Sequence, residues 1–337
     1  MAADPAAGIQ TGVPDLPHVL GLGSDPYHFY RTLREYRPLA YDPHLGAYLV
    51  SRYTDVAAAL ADVRLARPRS TDCCEPGDSR CASPLAGAPR AVRESMTLVF
   101  GQIVERTAFV LASRLARRRE ADLVAEFCSW LPAGVVATAA GLPYDAIARV
   151  DRATLHARVG PVREREGEGT AWLAGLLADR VGVTERALAS LVASLLDHPD
   201  QLAAVRADPA LIPRAWQESL RRNPPVHVLV RRAVQDMELA GGTVPAGAAV
   251  ACLIGSAGRD PARFAGPDRF DLFRADPGQL TFGPPGCPVA RLAALQAQYG
   301  LRALFDAMPG MRWAEGFRPV ETGVLTRAPR SLLVRPA

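Results

Sequence analysis

A loop rich in glycine and proline, ending at one cysteine directly before a helical pattern, is the most constraining feature of this chain. Residues 279–287 read Gln-Leu-Thr-Phe-Gly-Pro-Pro-Gly-Cys, and an apolar run with helical period follows from Pro288 to Ala307. Proline is favoured at the first helical position because its missing N–H would have no partner there. Cys287 is therefore predicted to lie at the helix N-terminus. Unpaired backbone N–H groups and the helix dipole favour a thiolate at that position, and the thiolate is the form that binds metal.

The composition of the chain excludes several classes of protein. Its 337 residues are 49% hydrophobic and 22% charged, the formal net charge is only +4, and all 39 basic residues are arginine. No apolar run approaches the roughly 20 residues that a transmembrane helix needs. The first residues lack the basic and apolar regions of a signal peptide. We therefore expect a cytoplasmic protein that binds neither nucleic acid nor membrane, with its six cysteines present as thiols.

Hydrophobic periodicity predicts a mainly α fold with small β-sheets. Helical patterns cover residues 27–34, 54–61, 89–157 with a break at 141–143, 170–196, 201–207, 213–222 and 288–307. The period changes to that of strands from 230 to 253, with Gly241-Gly242 as a hairpin turn. A last pair of strands is predicted around 323–325 and 332–334. We expect one domain, residues 21–337, behind a flexible N-terminal tail of residues 1–20.

Four further stretches contain charged residues at characteristic spacings. Glu218 and Arg221 are three residues apart, which places both on one helix face. By itself such a pair is usually a solvated salt bridge worth roughly a few tenths of a kcal/mol. Residues 259–270 read Arg-Asp-Pro-Ala-Arg-Phe-Ala-Gly-Pro-Asp-Arg-Phe, which is a more specific pattern. The other two stretches are Arg-Arg-Ala-Val-Gln-Asp-Met-Glu-Leu at 231–239 and Pro-Arg-Ala-Val-Arg at 89–93.

Together with the cysteine loop, and in this order along nearly the whole chain, these stretches resemble the cytochrome P-450 family. The resemblance implies the fold of that family and heme b as cofactor, with Cys287 as the metal ligand in a loop that also contains Phe282 and Gly283. By the family's pattern Arg231 and Arg93 hold the heme propionates, a task that the forked guanidinium suits geometrically.

The resemblance also assigns a structural role to one group of charged residues. The positions that match Glu218, Arg221 and Arg269 form an ion-pair triad in the family, and this triad supports the fold on the heme side.

The chain departs from the family pattern in the ligand loop. Two residues fewer separate Phe282 from Cys287 than the family has, and Pro285 replaces a propionate-binding histidine or arginine. Pro89 replaces the histidine of the element that ends at Arg93. A lone cysteine is more often a small buried hydrophobe than a ligand. Cys287 therefore has two readings, an iron ligand or a packed thiol, and its place before a helix favours the ligand.

A second departure lies on the opposite side of the cofactor site. Family members that activate oxygen carry an acid and an alcohol in the middle of the long helix, and this pair delivers protons. The matching positions here are Gly182 and Val183, which can neither donate nor relay a proton. Thr184 and Glu185 lie one position late, about 100° around the helix axis, and are expected to be ordinary surface residues.

The segment between Ala157 and Thr170 is short for this family, which normally builds two helices there as a roof over the substrate. A shortened roof leaves the distal side of the cofactor open to water unless another protein covers it. Because water exclusion controls oxidative chemistry, this departure concerns mechanism as well as fold.

Two functions follow from the resemblance. The first is an abbreviated, motif-degenerate heme-thiolate oxidoreductase of the monooxygenase or peroxygenase kind. It would oxidise or rearrange a small molecule in bacterial secondary metabolism, with atypical oxygen activation and a possible ferredoxin-type redox partner. The second is a heme-free homologue that has lost catalysis and activates another enzyme, such as a glycosyltransferase. Retention of Cys287, Arg93 and Arg231 favours the first, whereas Gly182 and Val183 favour the second.

Overall fold

The computed structural model describes residues 25–66, 90–139, 181–282 and 288–336. Both the predicted N-terminal tail, residues 1–20, and the shortened roof between Ala157 and Thr170 lie outside these ranges. The first described part contains helix α1 (Tyr27–Tyr36), strands β1 (Leu39–Asp42) and β2 (Ala47–Val50), helix α2 (Tyr53–Ala61) and strand β3 (Leu65–Ala66). The second contains helix α3 (Arg90–Leu115), strand β4 (Ala121–Asp122), a π-helical turn (Val124–Cys128) and helix α4 (Trp130–Ala139).

The remaining elements follow from residue 181. Helices α5 (Val181–Leu196), α6 (Pro199–Ala207) and α7 (Ile212–Arg222) precede strands β5 (Val228–Ala233), β6 (Met237–Leu239), β7 (Gly242–Val244) and β8 (Ala249–Leu253). Next come the short helix α8 (Ile254–Ala257) and the helix α9 (Pro288–Ala307). The last strands are β9 (Arg312–Trp313), β10 (Glu321–Thr322), β11 (Ala328–Pro329) and β12 (Leu333–Arg335). The described chain is thus mainly helical with small sheets, as the periodicity predicts.

The largest apolar core lies among the helices. It joins buried side chains of α3, α4, α5, α7 and α9, and α3 packs along α9 over much of their length. Gly101 of α3 faces the Tyr299 ring of α9, where a Cβ atom would be 3.5 Å from the hydroxyl oxygen. This packing holds the helix that follows Cys287 against the helix that begins just before Arg93.

A five-stranded sheet in the order β1-β2-β8-β5-β3 forms the second layer. Strand β5 runs antiparallel to β8, and this register pairs Arg231 with Val250. The predicted hairpin between β6 and β7 is present, but its turn lies one residue earlier than predicted: Ala240 and Gly241, both at positive φ, form the turn, and Gly242 begins β7 opposite Leu239. The predicted final strand pair is wrong. Strand β10 pairs with β11, whereas β12 pairs with β9 and with β4, because the end of the chain returns to an element that lies far earlier in the sequence.

Among the residues that the structure describes, no helix is both long and apolar enough to span a membrane.

Candidate cofactor site

A buried ion pair on α7 supports the loops that lead to the cysteine. Both nitrogen–oxygen contacts between the Arg221 guanidinium and the Glu218 carboxylate are 2.7 Å long, and both side chains are almost fully buried. Arg221 also donates to the carbonyl oxygens of Gly258, Pro267 and Arg269. A fully hydrogen-bonded pair of this kind tolerates burial because each charge is compensated. The i,i+3 spacing that looks weak in sequence is therefore a central support of the fold.

The resemblance assigns Arg269 as the third residue of the ion-pair triad with Glu218 and Arg221, and this assignment is wrong. The Arg269 side chain is 79% exposed and lies 3.4 Å from Asp271, so its contribution to the cluster is its backbone carbonyl. The guanidinium that reaches Glu218 belongs to Arg274, with its Nε atom 3.2 Å from Oε2. Because the loop turns its carbonyl groups toward Arg221, the Arg269 side chain points to solvent.

The first residues of the cysteine loop are anchored on α7. Phe282 is buried, and its ring stacks on Trp216 with the ring centroids 5.9 Å apart. The Gln279 side chain accepts from the backbone N–H groups of Thr281 and Phe282, at 2.8 and 3.0 Å. The Thr281 hydroxyl donates to the Leu220 carbonyl at 3.4 Å. The direction of the chain is therefore fixed at residue 282, five residues before Cys287.

Cys287 and Gly283 themselves lie outside the described residues. The first described residue beyond them, Pro288, begins α9, so the predicted helix start directly after the cysteine is present. Arg93 lies in the first turn of α3. The roles of Cys287, Gly283 and Arg93 toward a cofactor remain predictions.

Arg231 occupies a buried position on β5. Its neighbours in sequence, Val230 and Arg232, are exposed, whereas Arg231 is almost fully buried and its Nη1 atom donates to the Val230 carbonyl at 3.1 Å. A buried guanidinium is suited to a carboxylate partner, because burial strengthens a charge-assisted hydrogen bond. The chemistry of this residue fits a propionate.

The two relay positions lie in the first described turn of α5. Gly182 and Val183 are half-buried, and Arg186 donates to the Gly182 carbonyl at 2.9 Å. Thr184 differs from the expectation of a surface residue, because only 3% of it is exposed. It belongs to the face of α5 that packs into the helical core with Val181 and Leu188, three residues before and four after it. Glu185 is half-buried.

Sequence reasoning missed three residues of this site: Trp216, Gln279 and Arg274. An apolar residue at helical spacing gives no sign that it stacks on a particular ring, and Gln279, although it begins the 279–287 loop, gives no sign in sequence that its side chain accepts from the loop's own N–H groups. Arg274 could have been found from its position shortly after the 259–270 pattern, but the choice between it and Arg269 depends on the path of the loop.

Comparisons with known proteins agree with this geometry. The family model described as "Cytochrome P450" matches residues 206–286. Cytochrome P450 105C1 of a Streptomyces species is 32% identical over 320 residues, covering 79% of this chain and 82% of the relative. The chain belongs to the cytochrome P450 family. The resemblance read from the sequence is thereby confirmed.

Two further similarities extend across nearly the whole chain. Pulcherriminic acid synthase of Bacillus subtilis is 27% identical over 385 residues, covering 92% of this P450 and 95% of the relative. The crystal structure of CYP109E1 from Bacillus megaterium in complex with corticosterone superposes with a TM-score of 0.77 at 20% identity, covering 93% and 98% of the two chains. The latter shows the P450 fold, which confirms the predicted fold class. Members of this family are heme-thiolate enzymes, which implies heme as the cofactor of this P450.

Proposed function

We propose that this P450 is a heme-thiolate oxidoreductase that oxidises or rearranges a small molecule in bacterial secondary metabolism. The observation that carries the proposal is the stacking of Phe282 on Trp216, which anchors the chain five residues before Cys287, together with the start of α9 at Pro288, the residue after that cysteine. Similarity to a named biosynthetic enzyme, pulcherriminic acid synthase, supports the metabolic setting.

Three residues of this chain would hold the heme. Cys287 would supply a thiolate stabilised by the N-terminus of α9, and Arg231 and Arg93 would hold carboxylates at the edge of the cofactor. Bound heme with a thiolate ligand supplies an iron centre at which cleavage of the O–O bond is favoured.

Proton delivery is the step that this chain would carry out differently. Gly182 and Val183 offer no acidic or hydroxyl group, so protons would come from water, from the substrate or from an oxidant such as a peroxide. We therefore infer atypical oxygen activation, with peroxide-driven turnover exceeding oxygen-driven turnover.

The visible spectrum of the purified protein, supplemented with heme, tests the ligand assignment. We expect an intense near-ultraviolet band that shifts to longer wavelength when carbon monoxide binds the reduced protein. Cys287→Ala should abolish the shifted band. The control is Cys252→Ala, which replaces a buried cysteine on β8 and should retain the band. Survival of the shifted band in Cys287→Ala would refute the assignment.

A second function is a heme-free homologue that activates another enzyme, such as a glycosyltransferase. The specific observation in its favour is the apolar pair Gly182 and Val183, since a non-catalytic homologue has no need of a proton relay. Colourless wild-type protein after heme supplementation, together with stimulation of a partner glycosyltransferase, would favour this function over the first.

A further inference from the structure

A surface cleft lies at the end of α5 that is remote from the relay positions. Its volume is about 460 Å³, which falls within the usual range for pockets that bind small molecules. Residues from the start of α1, the end of α5, the end of α7 and the β10–β11 hairpin line it. Ala193, on its wall, comes eleven residues after Gly182, or about 16 Å along the helix axis. A ligand in this cleft would therefore not contact the relay positions.

Two of the three arginines on the wall of this cleft are paired with carboxylates. The Arg259 Nη1 atom lies 3.2 Å from Oδ1 of Asp268, and the Arg327 Nε atom lies 3.0 Å from Oε2 of Glu321. The Arg259 guanidinium also lies over the Tyr27 ring, with its Cζ atom 3.3 Å from the ring centroid. Ion pairs and stacking thus hold these side chains of the wall in place.

Arg222, the last residue of α7, is the third arginine and has no carboxylate partner among the described residues. Its Nε atom donates to the Asp268 carbonyl at 2.7 Å, and its Nη1 atom donates to the Asn223 side-chain oxygen at 3.5 Å. Its Nη2 atom makes no hydrogen bond in the described part of the chain and is not sealed from solvent. Burial lowers the pKa of the Arg222 guanidinium, and the adjacent Arg259 charge lowers it further. An anion bound at Nη2 would compensate both effects.

The other charges of the cleft limit which anion can bind. Asp25 and Asp197, on its wall, are both exposed to solvent. Two carboxylates near a bound group repel a second negative charge on that group. A phosphate monoester carries close to two negative charges at neutral pH, so it is disfavoured relative to a carboxylate, which carries one.

Part of the wall is apolar and suits a hydrocarbon group. It consists of Ala193, Pro319, Val320 and Pro329. Val320 is 61% exposed, so a ligand that covers it would remove apolar surface from water. The cleft thus combines an apolar surface with a guanidinium whose planar fork matches the geometry of a carboxylate.

We propose that this cleft binds a small organic molecule with one carboxylate group. The carboxylate accepts a hydrogen bond from Nη2 of Arg222, and the hydrocarbon part lies against Val320 and its apolar neighbours. The site uses none of the residues expected to hold the heme, so binding should occur with or without the cofactor.

Calorimetric titration of the full chain with hexanoate at neutral pH tests the ligand class. We expect saturable binding of one hexanoate per chain. Hexanol, the neutral analogue, and hexyl phosphate, which carries a second charge, should each bind at least about tenfold more weakly. Absence of saturable hexanoate binding, or equal affinity for either analogue, would overturn the proposal.

Two variants test the location of the site in the same titration. Arg222→Gln removes the guanidinium, and Val320→Asp places a negative charge on the apolar wall, so each should weaken hexanoate binding about tenfold or more. Because Val320 is largely exposed, its variant should fold even if Arg222→Gln does not. The matched control is Arg232→Gln, which replaces an exposed arginine of β5 outside the cleft and should keep the wild-type affinity. Wild-type affinity in Arg222→Gln or in Val320→Asp would place the hexanoate site elsewhere and overturn the proposal.

Discussion

The Nε atom of Arg274 lies 3.2 Å from the Glu218 carboxylate, in the position that the family resemblance assigns to Arg269. Glu218 therefore faces two guanidinium groups, those of Arg221 and Arg274, and also accepts from the backbone N–H of Asp271 at 2.9 Å. The contacts from Arg274 and Asp271 join α7 to the loop that leads toward the cysteine.

This relationship predicts different costs for two arginine substitutions in the same loop. Arg274→Ala removes a largely buried charged donor, so it should lower the free energy of unfolding by about 1.5–3 kcal/mol. Arg269→Ala leaves the backbone carbonyl in place and should change that free energy by less than about 0.5 kcal/mol. Denaturant titration of both variants measures the difference. Equal costs would contradict the assignment of Arg274 to the cluster.

We predict that Gly258 tolerates no side chain, because the space beside its Cα atom is already occupied. A Cβ atom at this position would overlap the Arg221 carbonyl oxygen, a backbone atom that cannot move without disturbing α7. Gly258→Ala should therefore destabilise the protein by about 3 kcal/mol or more.

The matched control is Gly101→Ala, at a position inside α3 where the new Cβ atom meets ordinary contact distances. Because alanine has a higher helix propensity than glycine, the stability of this variant should be unchanged or higher by about 0.5–1 kcal/mol. Thermal or denaturant unfolding measures the stability of both variants. An unchanged stability in Gly258→Ala would show that α7 can shift to make room for the side chain.

His227 should make the protein sensitive to acid. The ring is buried beside Tyr27 and Tyr30, and burial lowers its pKa from 6.5 to about 3, with nearby Arg327 and Arg259 adding repulsion. Between these two pH values the unfolded chain binds a proton that the folded chain does not. This contribution to stability is complete above pH 6.5 and decreases as the pH falls toward 3, by up to about 1.4 kcal/mol per pH unit.

Denaturant titration across pH 4 to 8 measures this dependence. His227→Gln removes the titrating group, so its free energy of unfolding should fall less steeply with decreasing pH than that of the wild type. His28→Gln, at an exposed position of α1, should follow the wild type. Identical slopes for all three proteins would mean that His227 is protonated in the folded state.

Restoring the relay pair should increase oxygen-driven chemistry. Gly182→Glu combined with Val183→Thr supplies the acid and hydroxyl that these positions lack, and a positioned acid typically contributes a factor of about 100 or more. The measurement is the ratio of oxygen-driven to peroxide-driven turnover, which should rise at least about tenfold. Val183→Thr alone is the control and should produce a smaller rise. An unchanged ratio in the double variant would indicate that the site does not use this route.

The sequence by itself determined what depends on local spacing. Glu218 and Arg221 meet because i and i+3 lie on one helix face, and the hairpin of β6 and β7 turns at Gly241 because glycine accepts positive φ. The mainly helical character and the start of α9 at Pro288 follow from periodicity and from the preference of proline for the first helical turn.

Only the tertiary structure decided which distant groups meet. It turned the Arg269 side chain outward and brought Arg274 to Glu218, buried Thr184 opposite Gln296, and paired β12 with β4 and β9. None of these pairs has a fixed spacing in the chain, since each depends on where a loop returns to the core. Helix geometry fixes which residues share a face, but the packing of one helix on another decides which of those faces become buried.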